Sequence, residues 1–294
     1  MQCFEVDFPA LIDRKAYLFM SAPLIKETLF GGEDAGRDTA STAAAAPGSM
    51  PPPSAPGRSL GNTAAAVAER KRSYGYDMGS GLTLLSADLK NVDVLLQAMD
   101  ESRFDFSVPT LLISECVVVY MDKPSVTALC KGLADRFHQE AAAQALWVSY
   151  DMVNPDDVFG KVMRRNLRDG GINVPGFTDF PTLEAQGERF THYGWEGATS
   201  ITMAAVFRDI ISPRDRQRIG RLEIFDELEE WDMIMGHYCL TLVSLGVGAS
   251  SPLAQVKLNP SLRPDEGVTG EDAAAASKPP PSGLGSFAFS KGSK

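Results

Sequence analysis

Pro109-Thr110-Leu111-Leu112-Ile113-Ser114-Glu115-Cys116-Val117-Val118-Val119-Tyr120-Met121 is the stretch that decides the fold class. Leu111, Leu112 and Ile113, followed by Val117, Val118 and Val119, put apolar side chains on both faces of an extended segment. That pattern suits a central strand covered by helices on each side, here Thr110 to Val119. Downstream, Val126, Leu129, Cys130, Leu133 and Phe137 recur at helical spacing with Pro124 in the first turn, which predicts an amphipathic crossover helix. Further strands are expected at Leu146 to Val153, at Cys3 to Asp7 and at Leu82 to Ala87. Short β-rich runs alternating with helical patterns specify a parallel α/β fold. A second helix is expected from about Arg221 to His237, where Leu222, Phe225, Leu228, Trp231 and Met235 form an apolar stripe. A last strand, Tyr238 to Leu245, is expected to run antiparallel to one at Gly194 to Met203.

Between these blocks, residues 31–66 are nearly all Ala, Gly, Ser, Thr and Pro, including Ala43 to Ala46 and Pro51 to Pro53. Residues 247–294 have the same character, with Pro279 to Pro281. Such segments bury too little apolar surface to offset the entropy of ordering them. The expected organisation is therefore one domain over 1–246, with a disordered insertion at about 31–66 and a disordered tail at 247–294. At 294 residues and 44% hydrophobic content the remainder can build a substantial core.

The formal charge of -10 argues against a nucleic-acid surface, which needs clustered Lys and Arg. Cys3, Cys116, Cys130 and Cys239 form no CxxC pair, so the spacing suggests neither a disulfide framework nor a metal site. No apolar run approaches the roughly 18 residues that span a bilayer, and Glu5 and Asp7 stand where a signal peptide would be basic. The expected setting is the cytoplasm or the nucleus, away from membranes.

His138, His192 and His237 lack metal-ligand spacing, and there is no GxSxG elbow, Walker loop or GxGxxG. The useful signal is acidic residues at strand ends. In open parallel sheets ligands bind beyond the carboxyl ends of the strands, and a carboxylate there accepts from ribose hydroxyls. Asp7 follows Phe4-Glu5-Val6, Asp88 follows Leu85-Ser86-Ala87, and Glu115 follows Leu112-Ile113-Ser114. Together they point to a nucleoside-type ligand.

The blocks Phe4-Glu5-Val6-Asp7-Phe8-Pro9 with Arg14-Lys15, Ala87-Asp88-Leu89, and Pro109 to Val117 with Tyr120-Met121 resemble those of leucine carboxyl methyltransferases. The similarity continues through Val153-Asn154, Asp157-Val158-Phe159-Gly160, Gly194-Trp195-Glu196 and His237-Tyr238-Cys239-Leu240. The resemblance implies a Rossmann-like class I methyltransferase sheet using S-adenosyl-L-methionine. The implied acceptor is the C-terminal leucine carboxylate of the type 2A protein phosphatase catalytic subunit. It further implies that Asp7 holds the ribose hydroxyls, Asp88 accepts from the adenine amino group, the Leu89 amide meets the adenine ring, and Glu115 lies near the cationic methionine end.

A C-terminal carboxylate is ionised at pH 7, so no catalytic base is assigned. Tyr120 and Tyr150, at or just beyond strand ends, are candidate walls of the substrate pocket. The family pattern also places a first strand with a GxGxDT-type loop, and a helical lid, ahead of the Glu5-Val6-Asp7 block. The expectation is thus a sheet incomplete at its N-terminus, in which Cys3 to Asp7 either stays apart from Leu111 to Val119 or pairs with it directly. Two alternatives are a related small-acid or tRNA methyltransferase, and a non-catalytic module that docks on the phosphatase.

Overall fold

The computed structural model describes residues 1–22, 25, 57–79, 81–222 and 226–258. Strand β1 (Cys3–Asp7) leads directly into α1 (Pro9–Ser21), with Pro9 in the first turn, where a missing N–H costs nothing. Ile12, Ala16 and Met20, spaced one turn apart, are the buried face of α1 and pack with Tyr76, Met78 and Leu84. Helix α2 (Gly57–Arg70) precedes β2 (Lys71–Arg72), β3 (Gly75–Gly79) and β4 (Leu82–Ser86). These strands form a first sheet in the order β1-β4-β3-β2, in which β1 and β4 are parallel from Cys3↔Leu82 to Asp7↔Ser86.

After α3 (Val92–Glu101) comes β5 (Thr110–Glu115), then the crossover α4 (Lys123–Phe137) and β6 (Ala145–Met152). Asp122 caps α4 by accepting from the Ser125 N–H, and Val126, Leu129, Cys130, Leu133 and Phe137 are buried as their spacing predicts. Helices α5 (Val158–Asp169), α6 (Pro175–Asp179) and α7 (Leu183–Thr191) lead to β7 (Gly197–Thr202). Then α8 (Pro213–Ile219) and α9 (Leu228–Met235) precede β8 (Tyr238–Leu245). The second sheet has the order β5-β6-β8-β7, with β5 and β6 parallel and β8 antiparallel to both of its neighbours. The antiparallel β7–β8 pair matches the expectation, and β8 also pairs with β6, which the sequence did not reveal.

One apolar cluster joins the two sheets, taking in Leu85, Leu95, Met99, Phe106, Phe137, Trp147 and Trp195, with Phe4 and Val6 at its rim. Rings run through it from Phe4 to Phe104, Phe106, Phe137 and Trp195, with successive centroids 4.9, 4.6, 5.1 and 6.5 Å apart. Such pairs, edge-to-face except for the tilted Phe104–Phe106, add to the stabilisation from burial.

Several expectations are corrected. Strand β5 ends at Glu115, because Cys116 adopts a left-handed φ of 47° and Val118–Tyr120 coils into a 3-10 turn. Nor is β5 central. It pairs with β6 alone, β1 pairs with β4 alone, and the two sheets share no ladder among the described residues. Leu111 and Ile113 are 47% and 72% exposed, so among the described residues the face they share lacks a helical cover there. Of the two arrangements expected for Cys3 to Asp7, the one without direct pairing is found.

The helix expected from Arg221 to His237 is also different. Gly220 caps α8, and α9 begins only at Leu228 and buries none of its residues. Leu228, Met233 and Ile234 are exposed, while Trp231 packs edge-on against Phe207; Phe225 lies outside the described residues. In the supposed insertion, residues 57–66 are helical, and Ala66 packs with Val67 against the α1 cluster. In the supposed tail, Pro252–Gln255 forms a 3-10 turn and Ser251 is buried. Residues 31–56 and 259–294 lie outside the described residues.

Candidate functional site

The strand ends gather the predicted residues into two groups. In the first, the Ala87 N–H donates to the Asp7 carbonyl at 3.0 Å and ties the ends of β1 and β4 together. Asp7 Oδ1 accepts from the Phe8 N–H at 2.8 Å, and Asp88 Oδ1 accepts from the Lys90 N–H at 3.0 Å. Each carboxylate is thus fixed through one oxygen in a local turn. Its second oxygen has no partner among the described residues, and neither acid joins an ion pair there. Two pre-oriented acceptors at one sheet edge match the hydroxyl and amino donors of a nucleoside. Leu89 is half-buried against the main core, which leaves its role to its backbone.

In the second group, Glu115 ends β5 as the register partner of Tyr150 on β6. The Cys116 N–H donates to the Tyr150 carbonyl at 2.8 Å, and Tyr120, 49% exposed, closes the 3-10 turn just beyond. Glu115 is exposed and unpaired among the described residues. The two groups lie at the same end of the molecule: Lys90, just past β4, sits near enough to Asp122, just past β5, to help hold that carboxyl below its usual range after the stronger Ser125 hydrogen bonds. The structure therefore brings Asp7, Asp88 and Leu89 together, and Glu115, Tyr120 and Tyr150 together, but no shared strand links the two sets.

Sequence reasoning missed Tyr238. Its ring stacks on Tyr150 with centroids 5.3 Å apart and planes 9° from parallel, and it packs beside Cys116, Met152 and Phe177. Burial, then the neighbouring Cys116, pushes the Tyr150 hydroxyl up to about 12 and raises that of Tyr238. Burial likewise pushes the Cys116 thiol up to about 11, so it stays protonated and unreactive at neutral pH. The missing signal was the β6–β8 pairing. Register matches Tyr238 with Met152 and Leu240 with Tyr150, so the two tyrosines are diagonal neighbours on one face.

Behind this edge lies a buried polar network. Arg189 on α7 donates from Nη2 to Asp151 Oδ2 at 2.7 Å and to Ser149 Oγ at 2.9 Å. Ser149 donates to Asp151, Ser114 donates to Ser149, and Trp147 Nε1 donates to Ser114. Both charged side chains are 1% exposed. Two histidines hold backbone and side-chain partners: His237 bridges the Met233 carbonyl and the Asp157 carboxylate, and His138 Nε2 meets the Gly194 carbonyl. A hollow between α7 and β7, lined by Glu184, Glu188, Ala198 and Ser200, contains none of the predicted site residues. Among the described residues no His, Cys, Asp and Glu group could hold a metal ion, and no helix is long and apolar enough to cross a membrane.

Residues 1–134 match the family model for leucine carboxyl methyltransferase. The leucine carboxyl methyltransferase 1 homolog of Arabidopsis thaliana is 35% identical over 158 residues, 54% of this chain and 46% of that protein. Leucine carboxyl methyltransferase 1 of Bos taurus is 30% identical over 244 residues, 83% of this chain and 62% of that one. Over residues 1–134 this chain is similar to leucine carboxyl methyltransferases. Related sequences include the tRNA wybutosine-synthesizing protein 4 of Rattus norvegicus, 34% identical over 167 residues, 57% of this chain but 24% of that protein. The chain spans about half or less of the length of the relatives first matched. Among solved structures, phosphoethanolamine N-methyltransferase 2 of Haemonchus contortus with S-adenosyl-L-methionine aligns with a TM-score of 0.32 at 11% identity, over 62% of this chain and 39% of that one. Glu5-Val6-Asp7, Ala87-Asp88-Leu89 and Ser114-Glu115-Cys116 all lie within residues 1–134, so the family match covers the three strand-end acids.

Proposed function

We propose that this protein transfers a methyl group from S-adenosylmethionine to the C-terminal leucine carboxylate of the type 2A protein phosphatase catalytic subunit. The observation that carries the reading is the pair of strand-end carboxylates, Asp7 and Asp88, each locked by one backbone N–H with one oxygen left to accept. Asp7 would take the ribose hydroxyls and Asp88 the adenine amino group, beside the Leu89 backbone. Glu115 supplies negative charge toward the cationic end. When bound, the cofactor supplies a methyl carbon on a sulfonium; the acceptor oxygen forms the new C–O bond as the S–C bond breaks and its electron pair stays on sulfur.

The acceptor is already ionised, with a pKa of roughly 3.5, and needs no base. The protein's task is alignment and exclusion of water, which supplies about 7–11 kcal/mol through effective molarity. Tyr120 and Tyr150 wall the acceptor side. In the test, the protein at its natural full length is incubated with labelled cofactor and the phosphatase subunit with or without its terminal Leu. Labelling that needs the leucine supports the reading, and equal labelling of both forms refutes it.

The absence of a ladder between β1 and β5 favours one second reading, a docking module that does not hold cofactor. Calorimetric titration with S-adenosylmethionine separates the two: binding supports the enzyme, and its absence in the full-length protein supports the module.

A further inference from the structure

We propose that the hydroxyls of Tyr150 and Tyr238 form a receptor for the substrate carboxylate, built from neutral donors, at the ends of β5 and β6; this rests on the methyl-transfer reading above. The two rings are parallel within 9° and 5.3 Å apart, on neighbouring strands. Both side chains are half-buried, and neither hydroxyl bonds to any described residue. Neither hydroxyl is among the sealed polar atoms, so each is open to solvent and free to donate to a ligand. Two neighbouring phenols on one face can each donate to one oxygen of a single carboxylate at about 2.7 Å.

The electrical surroundings fit an anion that must remain nucleophilic. The groups close enough to act on the two phenols are Cys116, Glu115, Tyr120 and Cys239, with no lysine or arginine among them. A guanidinium or ammonium would hold the carboxylate's electron density in an ion pair that has to break as the oxygen attacks. Neutral hydroxyls orient the oxygen and release that density more readily. Both phenols stay protonated at pH 7, since burial raises each above the ordinary tyrosine value. Glu115, the register partner of Tyr150, attracts the cationic methyl donor to the same spot, and the positive charge of the bound donor offsets that of the incoming anion.

The test compares two peptides ending in leucine, one with a free carboxylate and one with a carboxamide, by calorimetry on the full-length protein with S-adenosylhomocysteine present. Wild type should prefer the carboxylate. Tyr238→Phe and Tyr150→Phe keep each ring in place and should each cut the carboxylate affinity about 10- to 100-fold, and the carboxamide affinity, whose single carbonyl oxygen accepts more weakly, by less. Unchanged preference in both variants overturns the receptor and leaves the methyl-transfer reading intact. Absence of any carboxylate preference in wild type overturns both.

Discussion

Arg189→Met removes the cation from an ion pair whose two side chains are each 1% exposed. The loss falls on Asp151 in particular. Its Oδ2 keeps only the Ser149 hydroxyl, and its Oδ1 already lacks a described partner. Taking away one member of a buried pair leaves the other charge without compensation, at a cost of about 3–5 kcal/mol. For a domain of this size each kcal/mol shifts the melting point by about 2–4 °C, so the midpoint should fall by roughly 6–20 °C. The assay is thermal unfolding followed by circular dichroism, with urea titration as a check on the free energy. Arg189→Met/Asp151→Leu should recover a large part of the loss, because it removes the stranded charge as well. A single variant melting within a degree of wild type would refute the view that this pair is sealed from solvent. So would a double variant no more stable than the single.

The Asp157 carboxyl is held below its usual range, first by the Gly160 N–H and also by His237. Its contribution to stability is therefore present above its unfolded value of about 4 and is lost as pH falls through the depressed folded value. Asp157→Asn should flatten the acid limb of a melting-point profile taken across that interval, and an unchanged limb would count against the bridge. In the full-length protein, Asp7→Ala and Asp88→Ala should each weaken S-adenosylmethionine binding by about 1–3 kcal/mol, because ligand donors lose their acceptors; calorimetry giving wild-type affinity for both would undo those assignments. In the 294-residue chain β1 and β5 are sheet edges without a further partner among the described residues, and Ile113 is 72% exposed. Such edges invite association. Self-association is expected, and a monomer by light scattering at micromolar concentration would contradict this.

Much of the architecture was legible because local pattern and tertiary role agree. The three- and four-residue spacing through Val126, Leu129, Cys130, Leu133 and Phe137 predicts the buried face of α4, and Cys3 to Asp7 and Tyr238 to Leu245 are strands with the bounds expected of them. Val117 to Val119 misled because β propensity cannot register a left-handed turn at Cys116. The stripe from Leu222 to Met235 misled because amphipathicity shows that a face is apolar, not that the fold covers it. At the site, the strand-end acids were visible because their position follows from chain order. Tyr238 and the Arg189–Asp151 pair were not, since each depends on contacts between residues far apart in sequence.

Transfer of labelled methyl from S-adenosylmethionine to the phosphatase catalytic subunit, with its terminal leucine present or removed, tests the central claim most directly. The full-length protein should label the intact subunit, in base-labile ester form, and leave the truncated one unlabelled. Equal labelling of both, or label that survives base, would contradict it.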